Sequence, residues 1–413
     1  MSLESEINAL LSPAIENKRL PGFGAIALDK SGKVLYKGTF GSSVSIEDAS
    51  KQPFTSTTQT NIWSLTKLVT SIAILQLSES GQINIDDAAE KYVPEISKLQ
   101  VLEGWTSPDA ETGDPITRPA KTKITIRHLL THTSGLAYDF VDANIMRWYN
   151  WRQRTQGIPR TGRKVSDFSP PLLFEPGTSY VYGVGCDWLG FVVEAVTGID
   201  LDTYFQRNIF APLGLQKTGL ITNVPVETVL HARLPEGDGK AVVSPLQIDL
   251  AASYGEKDEK EHQTFGGQYL ISTLDDYATI LLTILNDGTH PSKKDTQILK
   301  PETVQNYLFT DQLPAILGPQ GSDVVGTFNT AFPALSADGV FLPGTKKGFS
   351  TGLLLNLEDV PGKRRANSGA WAGVSNQYYW LDRESGKLGL VITYLLPFLD
   401  AESLDLFDGF EKL

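Results

Sequence analysis

The chain has 413 residues, 41% of them hydrophobic and 9% aromatic, and a formal charge of −12 at pH 7, with a mean hydropathy of −0.14. That composition supports a large buried core rather than a disordered or fibrous chain, and the acidic balance argues against a nucleic-acid partner, which needs a basic surface to displace counterions. The one cysteine, Cys186, allows no intrachain disulfide and no cysteine-rich zinc site.

The amino-terminal stretch carries two early glutamates and no uninterrupted apolar segment, so no secretory signal is expected. No apolar run approaches the roughly 18–20 residues needed to cross a bilayer. A cytoplasmic location is the expectation. Residues 3–17 have helical apolar spacing, 24–41 read as two strands around a Ser-Gly turn, and 65–79 read as a helix that stops near Gly81. From about residue 88 to residue 245 the pattern changes to short helical pieces joined by Pro/Gly-rich loops. The charged run "YGEKDEKEH" at 254–262 reads as a solvated loop. A helix is expected at 275–286 and strands at 350–357, 376–382 and 387–396, the last two forming a hairpin that turns at 384–386. Strands near both ends with helices between predict an α/β fold whose mixed sheet is closed by distant segments. The division expected is one domain of two lobes, with 1–88 and 246–413 as an α/β lobe and 89–245 as a mostly helical insertion.

Within the helix at 65–79 and its approach, "NIWSLTKLVTSIAIL", Ser64 and Lys67 stand three residues apart and can present their side chains to one point. The surrounding Leu68, Val69, Ile72 and Leu75 mark a core helix, where a lysine carries a desolvation cost unless it is paired. Ser-x-x-Lys is short enough to occur by chance, and a lysine at a helix end can simply reach solvent. A serine at a helix amino terminus, however, has free backbone N–H groups beside it that favour a developing oxyanion. A serine hydroxyl is a poor nucleophile at neutral pH and needs an adjacent base. Tyr182, in the Gly-flanked turn of "EPGTSYVYGVGCDWLG" ahead of a helical run, is the second acid/base candidate.

These stretches, together with "VLEGW" at 101–105, "ITIRHLLTHTSGLAY" at 124–138, "APLGL" at 211–215, "FGGQYLISTLDDYA" at 265–278 and "SGAWAGVSNQYYWLD" at 368–382, resemble the β-lactamase-fold serine esterases and acyltransferases in order and spacing. Among them the likeness is greatest to the fungal polyketide acyltransferases. The resemblance implies a β-lactamase/transpeptidase-like fold, an antiparallel sheet flanked by helices plus a mostly helical lobe. It implies that Ser64 forms the acyl-enzyme, that Lys67 holds or assists the base, and that Tyr182 is general base and acid. It places the third motif at Trp371–Gly373 and the oxyanion hole at the backbone N–H groups of Ser64 and Val374. Trp371 stands where β-lactamases have the motif lysine, and Val184 where they have an asparagine. Both changes favour neutral ester or thioester substrates over β-lactams. Trp63, Trp371, Gly373, Tyr378 and Phe398 are the expected substrate-binding residues.

Other motifs carry less. Lys217-Thr218-Gly219 lies too close to Tyr182 to be the third motif. "GFSTG" at 348–352 makes Ser350 a rival nucleophile, yet strand signals follow it and no histidine stands after His290. His128 and His132 are four apart but lack the glutamate base of a zinc helix, and His132 reads as the anchor of the "THTSGL" turn. "FGGQ" is too short for a nucleotide loop. No metal or cofactor is implied. The expected partners are a small-molecule ester or acyl thioester and, for a carrier-bound donor, a transient acyl carrier protein, with the chain a monomer or weak oligomer and no nucleic acid or membrane involved. Serine-dependent acyl transfer is therefore expected, with a non-catalytic binding or scaffold protein, or an isomerase or lyase using Tyr182 and Lys67, as the alternatives.

Overall fold

Two hairpin-forming regions far apart in the chain build one sheet. The computed structural model describes residues 3–158, 165–221, 223–236, 238–246 and 265–412, so the loop expected at 254–262 lies outside the described residues. Near the amino end, β1 (Gly22–Asp29) and β2 (Val34–Gly41) turn through Asp29, whose Oδ1 accepts from the Ser31 N–H at 2.8 Å, and through Gly32 at φ 86°. Toward the carboxyl end follow β3 (Lys347–Phe349), β4 (Leu354–Asn356), β5 (Ser368–Gly373), β6 (Gln377–Asp382) and β7 (Lys387–Ile392). The order is β3-β4-β5-β6-β7-β1-β2, and every neighbouring pair is antiparallel. The sheet is thus closed by distant segments as expected, but it is antiparallel throughout rather than mixed.

The principal helices are α1 (Leu3–Leu11), α2 (Thr66–Glu79), α3 (Ala143–Gln156), α4 (Gly185–Thr197), α5 (Leu274–Leu285) and α6 (Ala401–Lys412). Alternation along β6 decides what covers each face. Trp380 packs on Phe407 and Phe410 of α6, whereas Tyr379 packs on Tyr277 of α5. Ile7 and Leu11 of α1 join the first cluster. α2 is buried nearly all round, which is the environment its uniformly apolar sequence demands. Its polar residues are satisfied by segments distant in the chain, Ser71 donating to the Thr351 carbonyl at 2.7 Å and Thr70 to the Gly266 carbonyl at 2.5 Å.

Three local expectations change. The helix expected over 3–17 breaks, because Pro13 has no N–H to continue the ladder and opens a separate turn, Pro13–Glu16. Of the strand expected at 350–357 only β4 forms, because 350–353 make the turn that follows β3, in which Ser350 Oγ accepts from the N–H groups of Gly352 (3.2 Å) and Leu353 (2.9 Å). The span expected to be mostly helical also carries a hairpin, Gln100–Trp105 with Pro115–Pro119. Among the described residues, no helix is long and apolar enough to cross a membrane.

α6 is locked by an ion pair inside the protein. Arg364 donates to Glu411 at 2.5 and 2.6 Å, and the two side chains are 2% and 1% exposed. Glu411→Ala leaves the buried guanidinium without its anion and is expected to cost roughly 3–5 kcal/mol of stability. Thermal or urea unfolding checks this, and an unchanged midpoint contradicts it.

Candidate active site

The site begins with a strained turn. The Trp63 N–H donates to Asn61 Oδ1 at 2.6 Å, and Trp63 adopts φ 47°, a left-handed conformation that bulky residues rarely take. Tertiary contacts hold it there, since its indole is buried and stacked on Tyr394 with ring centroids 6.4 Å apart. The 3₁₀ turn Trp63–Leu65 then runs into α2 and presents Ser64 at the helix's amino end.

Lys67, 2% exposed, extends back along this turn. Its ammonium donates to Ser64 Oγ (3.1 Å), Tyr138 Oη (2.9 Å) and the Gly267 carbonyl (2.9 Å), one acceptor for each N–H. The rings of Tyr138 and Tyr182 each lie 4.9 Å from Nζ and add cation–π attraction. Tyr182 Oη donates to Ser64 Oγ at 2.6 Å. The backbone around Tyr182 hangs on His132, at φ 57°, whose carbonyl accepts from Val181 (3.0 Å) and whose Nδ1 accepts from Gly183 (3.4 Å). Burial beside Lys67 holds the His132 imidazole well below its ordinary pKa, so it stays neutral and serves as a structural acceptor.

Of the three residues expected to be catalytic, Lys67 and Tyr182 therefore both hydrogen-bond Ser64 Oγ, and they touch each other through the Tyr182 ring face. Two further residues belong to the same network and carry no local motif: Tyr138, and Asp187, whose Oδ2 accepts from Tyr138 Oη at 3.2 Å. Burial pushes Asp187 up to about 6, against the attraction of Lys67 and the hydrogen bonds it accepts. Burial also drives the Tyr138 phenol well above its ordinary value.

Ser64 and Tyr182 open onto a cavity of about 320 Å³ walled by Phe140, Tyr180, Phe328, Phe341, Leu354, Trp371, Ala372, Val374 and Phe398. Among the described residues that line it there is no lysine or arginine. Trp371, where a lysine would stand in β-lactamases, packs on Tyr182 at 5.3 Å, on Phe349 at 5.2 Å and on Phe341 at 6.4 Å.

Of the expected substrate-binding residues, Trp371 and Phe398 line this cavity and the other three do not. Trp63 is turned away onto Tyr394. Tyr378 lies on the α6 face of the sheet, donates to Asn376 Oδ1 at 2.6 Å, and lines a neighbouring cavity of about 270 Å³ instead. Gly373 works by having no side chain, because a Cβ there would sit 2.8 Å from the Ile62 carbonyl and 2.4 Å from Gln377 Oε1. Its absence lets the end of β5 press against the turn that carries Ser64 and brings Val374 to the cavity wall. The rejected motifs lie elsewhere. Lys217 N–H donates to Asp276 at 2.9 Å, beside the short strand Gly219–Leu220, and Ser350 is buried in its turn.

Residues 7–397 match the family model described as Beta-lactamase. The chain is 31% identical over 403 residues to monacolin J acid methylbutanoyltransferase of Aspergillus terreus, spanning 96% of this chain and 92% of that one. It is 32% identical over 389 residues to lovastatin esterase of Penicillium rubens, spanning 93% and 91%. A solved mutant of simvastatin synthase from Aspergillus terreus matches with a TM-score of 0.78 at 30% identity, over 98% of this chain and 93% of that chain.

Gly373→Ala forces β5 away from the Ser64 turn and is expected to lower kcat/KM by about 10- to 100-fold, the scale of a misplaced oxyanion donor. Steady-state kinetics with an activated ester checks it, and wild-type kinetics in a folded variant contradict it.

Proposed function

The chain belongs to the beta-lactamase family and is a serine enzyme of its acyltransferase and esterase kind, and on that premise we propose that Ser64, Lys67 and Tyr182 transfer an acyl group to or from the hydroxyl of a bulky, largely apolar alcohol. The observation that carries this reading is the convergence on one oxygen: Ser64 Oγ lies 2.6 Å from Tyr182 Oη and 3.1 Å from Lys67 Nζ. In the first step Tyr182 reacts as the phenolate held beside the Lys67 ammonium and takes the proton of Ser64 as Oγ attacks the carbonyl of an ester or thioester. The backbone N–H groups of Ser64 and Val374 stabilise the oxyanion, and the alcohol or thiol leaves with the proton. In the second step an incoming hydroxyl gives its proton to Tyr182 as it attacks the acyl-enzyme, and Tyr182 passes that proton to Ser64 Oγ as the acyl bond to it breaks.

Two features of the cavity support a neutral, apolar partner. Its walls are mostly aromatic and aliphatic, with Asp142, Thr327 and Asn329 among them, and among the described residues they offer no cation to the carboxylate of a β-lactam or peptide. An apolar alcohol that fills such a cavity also displaces water from the acyl-enzyme, which favours transfer over hydrolysis. The donor is an ester or an acyl thioester, and a thioester held on an acyl carrier protein makes that protein a transient partner. The relatives span both outcomes, one named for methylbutanoyl transfer and one for lovastatin hydrolysis. The non-catalytic and isomerase or lyase readings are not favoured.

Intact-protein mass spectrometry with short acyl thioesters and p-nitrophenyl esters is expected to show one acyl adduct, absent in Ser64→Ala. Tyr182→Phe is expected to form it about 10²- to 10⁴-fold more slowly, the range for loss of a general base. Adding a polyketide alcohol is expected to discharge the adduct faster than water does. An adduct that persists in Ser64→Ala contradicts the assignment.

A further inference from the structure

The "FGGQ" stretch, too short for a nucleotide loop, has another use in the folded chain. The Gly267 N–H donates to Asp187 Oδ1 at 2.9 Å, while its carbonyl accepts from Lys67 at 2.9 Å. The other carboxylate oxygen, Oδ2, accepts a hydrogen bond from Tyr138 Oη at 3.2 Å, and Tyr138 Oη in turn accepts from Lys67 at 2.9 Å. Asp187 therefore grips both acceptors that hold the Lys67 ammonium from behind, leaving its third N–H for Ser64 Oγ at 3.1 Å. A Cβ at position 267 would fall 2.7 Å from Asp187 Oδ1 and 2.8 Å from Tyr138 Oη, so only glycine closes this ring.

We propose that Asp187 is a positioning residue for acyl transfer, fixing the Lys67 ammonium on Ser64 through Tyr138 and the Gly267 peptide. The inference rests on the reading of Ser64 as nucleophile. Its physical basis is proton direction. Tyr138 has one hydroxyl hydrogen, and while Asp187 is a carboxylate that hydrogen points to Oδ2, so the oxygen's lone pairs face Lys67. A protonated or amide side chain at 187 can instead donate toward Tyr138 Oη and compete with the ammonium for it.

The surroundings of Asp187 make this readable as a pH profile. Lys67 approaches it from α2, Tyr138 and the Gly267 peptide from two loops, and Cys186 from its own stretch of chain, with Tyr182 behind Tyr138 at 5.3 Å between ring centroids. His132 is kept neutral, the Tyr138 phenol is kept protonated, and burial raises the Cys186 thiol to about 12. Asp187, raised to about 6, gains its proton as pH falls through that value, and the positioning charge goes with it.

The test is the rate of Ser64 adduct formation by rapid quench and intact mass, with the full chain and a p-nitrophenyl ester from pH 5 to 8. Wild type is expected to slow as pH drops below about 6. Asp187→Asn, checked for folding by thermal unfolding, is expected to be about 10- to 100-fold slower at pH 7.5 with KM nearly unchanged, and to lose the acidic limb. Tyr138→Phe, which keeps the ring and removes the oxygen, is expected to lose kcat in the same way, and it decides the matter with the wild-type profile if Asp187→Asn does not fold. A wild-type rate with no fall near pH 6, a limb that survives in Asp187→Asn, or a loss under twofold in the variants overturns the proposal. The parent reading fails separately, by the absence of any adduct on Ser64 in wild type.

Discussion

A buried ammonium sets the terms for everything around the serine. Lys67 sits on a helix with almost no access to water, so each of its three N–H groups needs an acceptor inside the protein. Two come from loops on either side of α2, the Tyr138 hydroxyl and the Gly267 carbonyl, and the third is the nucleophile itself. Because the ammonium points at the serine only while the other two acceptors stay in place, loops remote in sequence are tied to the chemistry. The same constraint explains why a carboxylate is kept nearby despite its burial, since Asp187 offsets a charge that the apolar core would otherwise expel.

Backbone contact, more than side-chain contact, brings the remaining parts together. β5 meets the Ser64 turn through Gly373, and the loop at Gly267 meets Asp187 with no room for a Cβ. The sheet supplies rigidity for the first of these approaches. β5 is an inner strand paired on both sides, and Gln377 at the start of β6 donates to the Asn61 carbonyl at 2.8 Å, joining the sheet directly to the segment ahead of the nucleophile. A site assembled this way tolerates little drift between strand and turn.

Much of this was legible in the amino-acid order and some was not, for identifiable reasons. Ser64 and Lys67 are one helical turn apart, so their meeting is a local property that spacing reveals. Tyr182 could be singled out because glycines at 177 and 183 mark a turn before a helix. Tyr138 and Asp187 gave no such signal. Their partnership with Lys67 exists only after three segments converge, and the quoted stretches that contain them offered plain core residues by pattern. The misplacements among the aromatic residues have a single cause: an aromatic near a motif declares burial but not direction. Tyr378 differs from its neighbour Tyr379 only in strand parity, and that parity sends it to the α6 face. Trp63 is turned inward by the left-handed backbone that frees the serine. β1, β2, β6 and β7 were visible in the amino-acid order, whereas β5, as long as β6 but rich in glycine and alanine, had little propensity to announce itself.

The half-buried ring of Phe341 borders both the cavity above Ser64 and its neighbour across the α6 face, which also share Leu354 and Trp371. It comes from the loop just after the short strand Gly339–Val340 and leans on Phe398 with ring centroids 5.9 Å apart, outside the sheet and outside the hydrogen-bonded network at Lys67. This piece of the wall around a guest molecule is thus written apart from the machinery that reacts with it. Descendants of this sequence can exchange one ring for a smaller group, join two chambers, and admit a longer guest while the reacting atoms stay where they are.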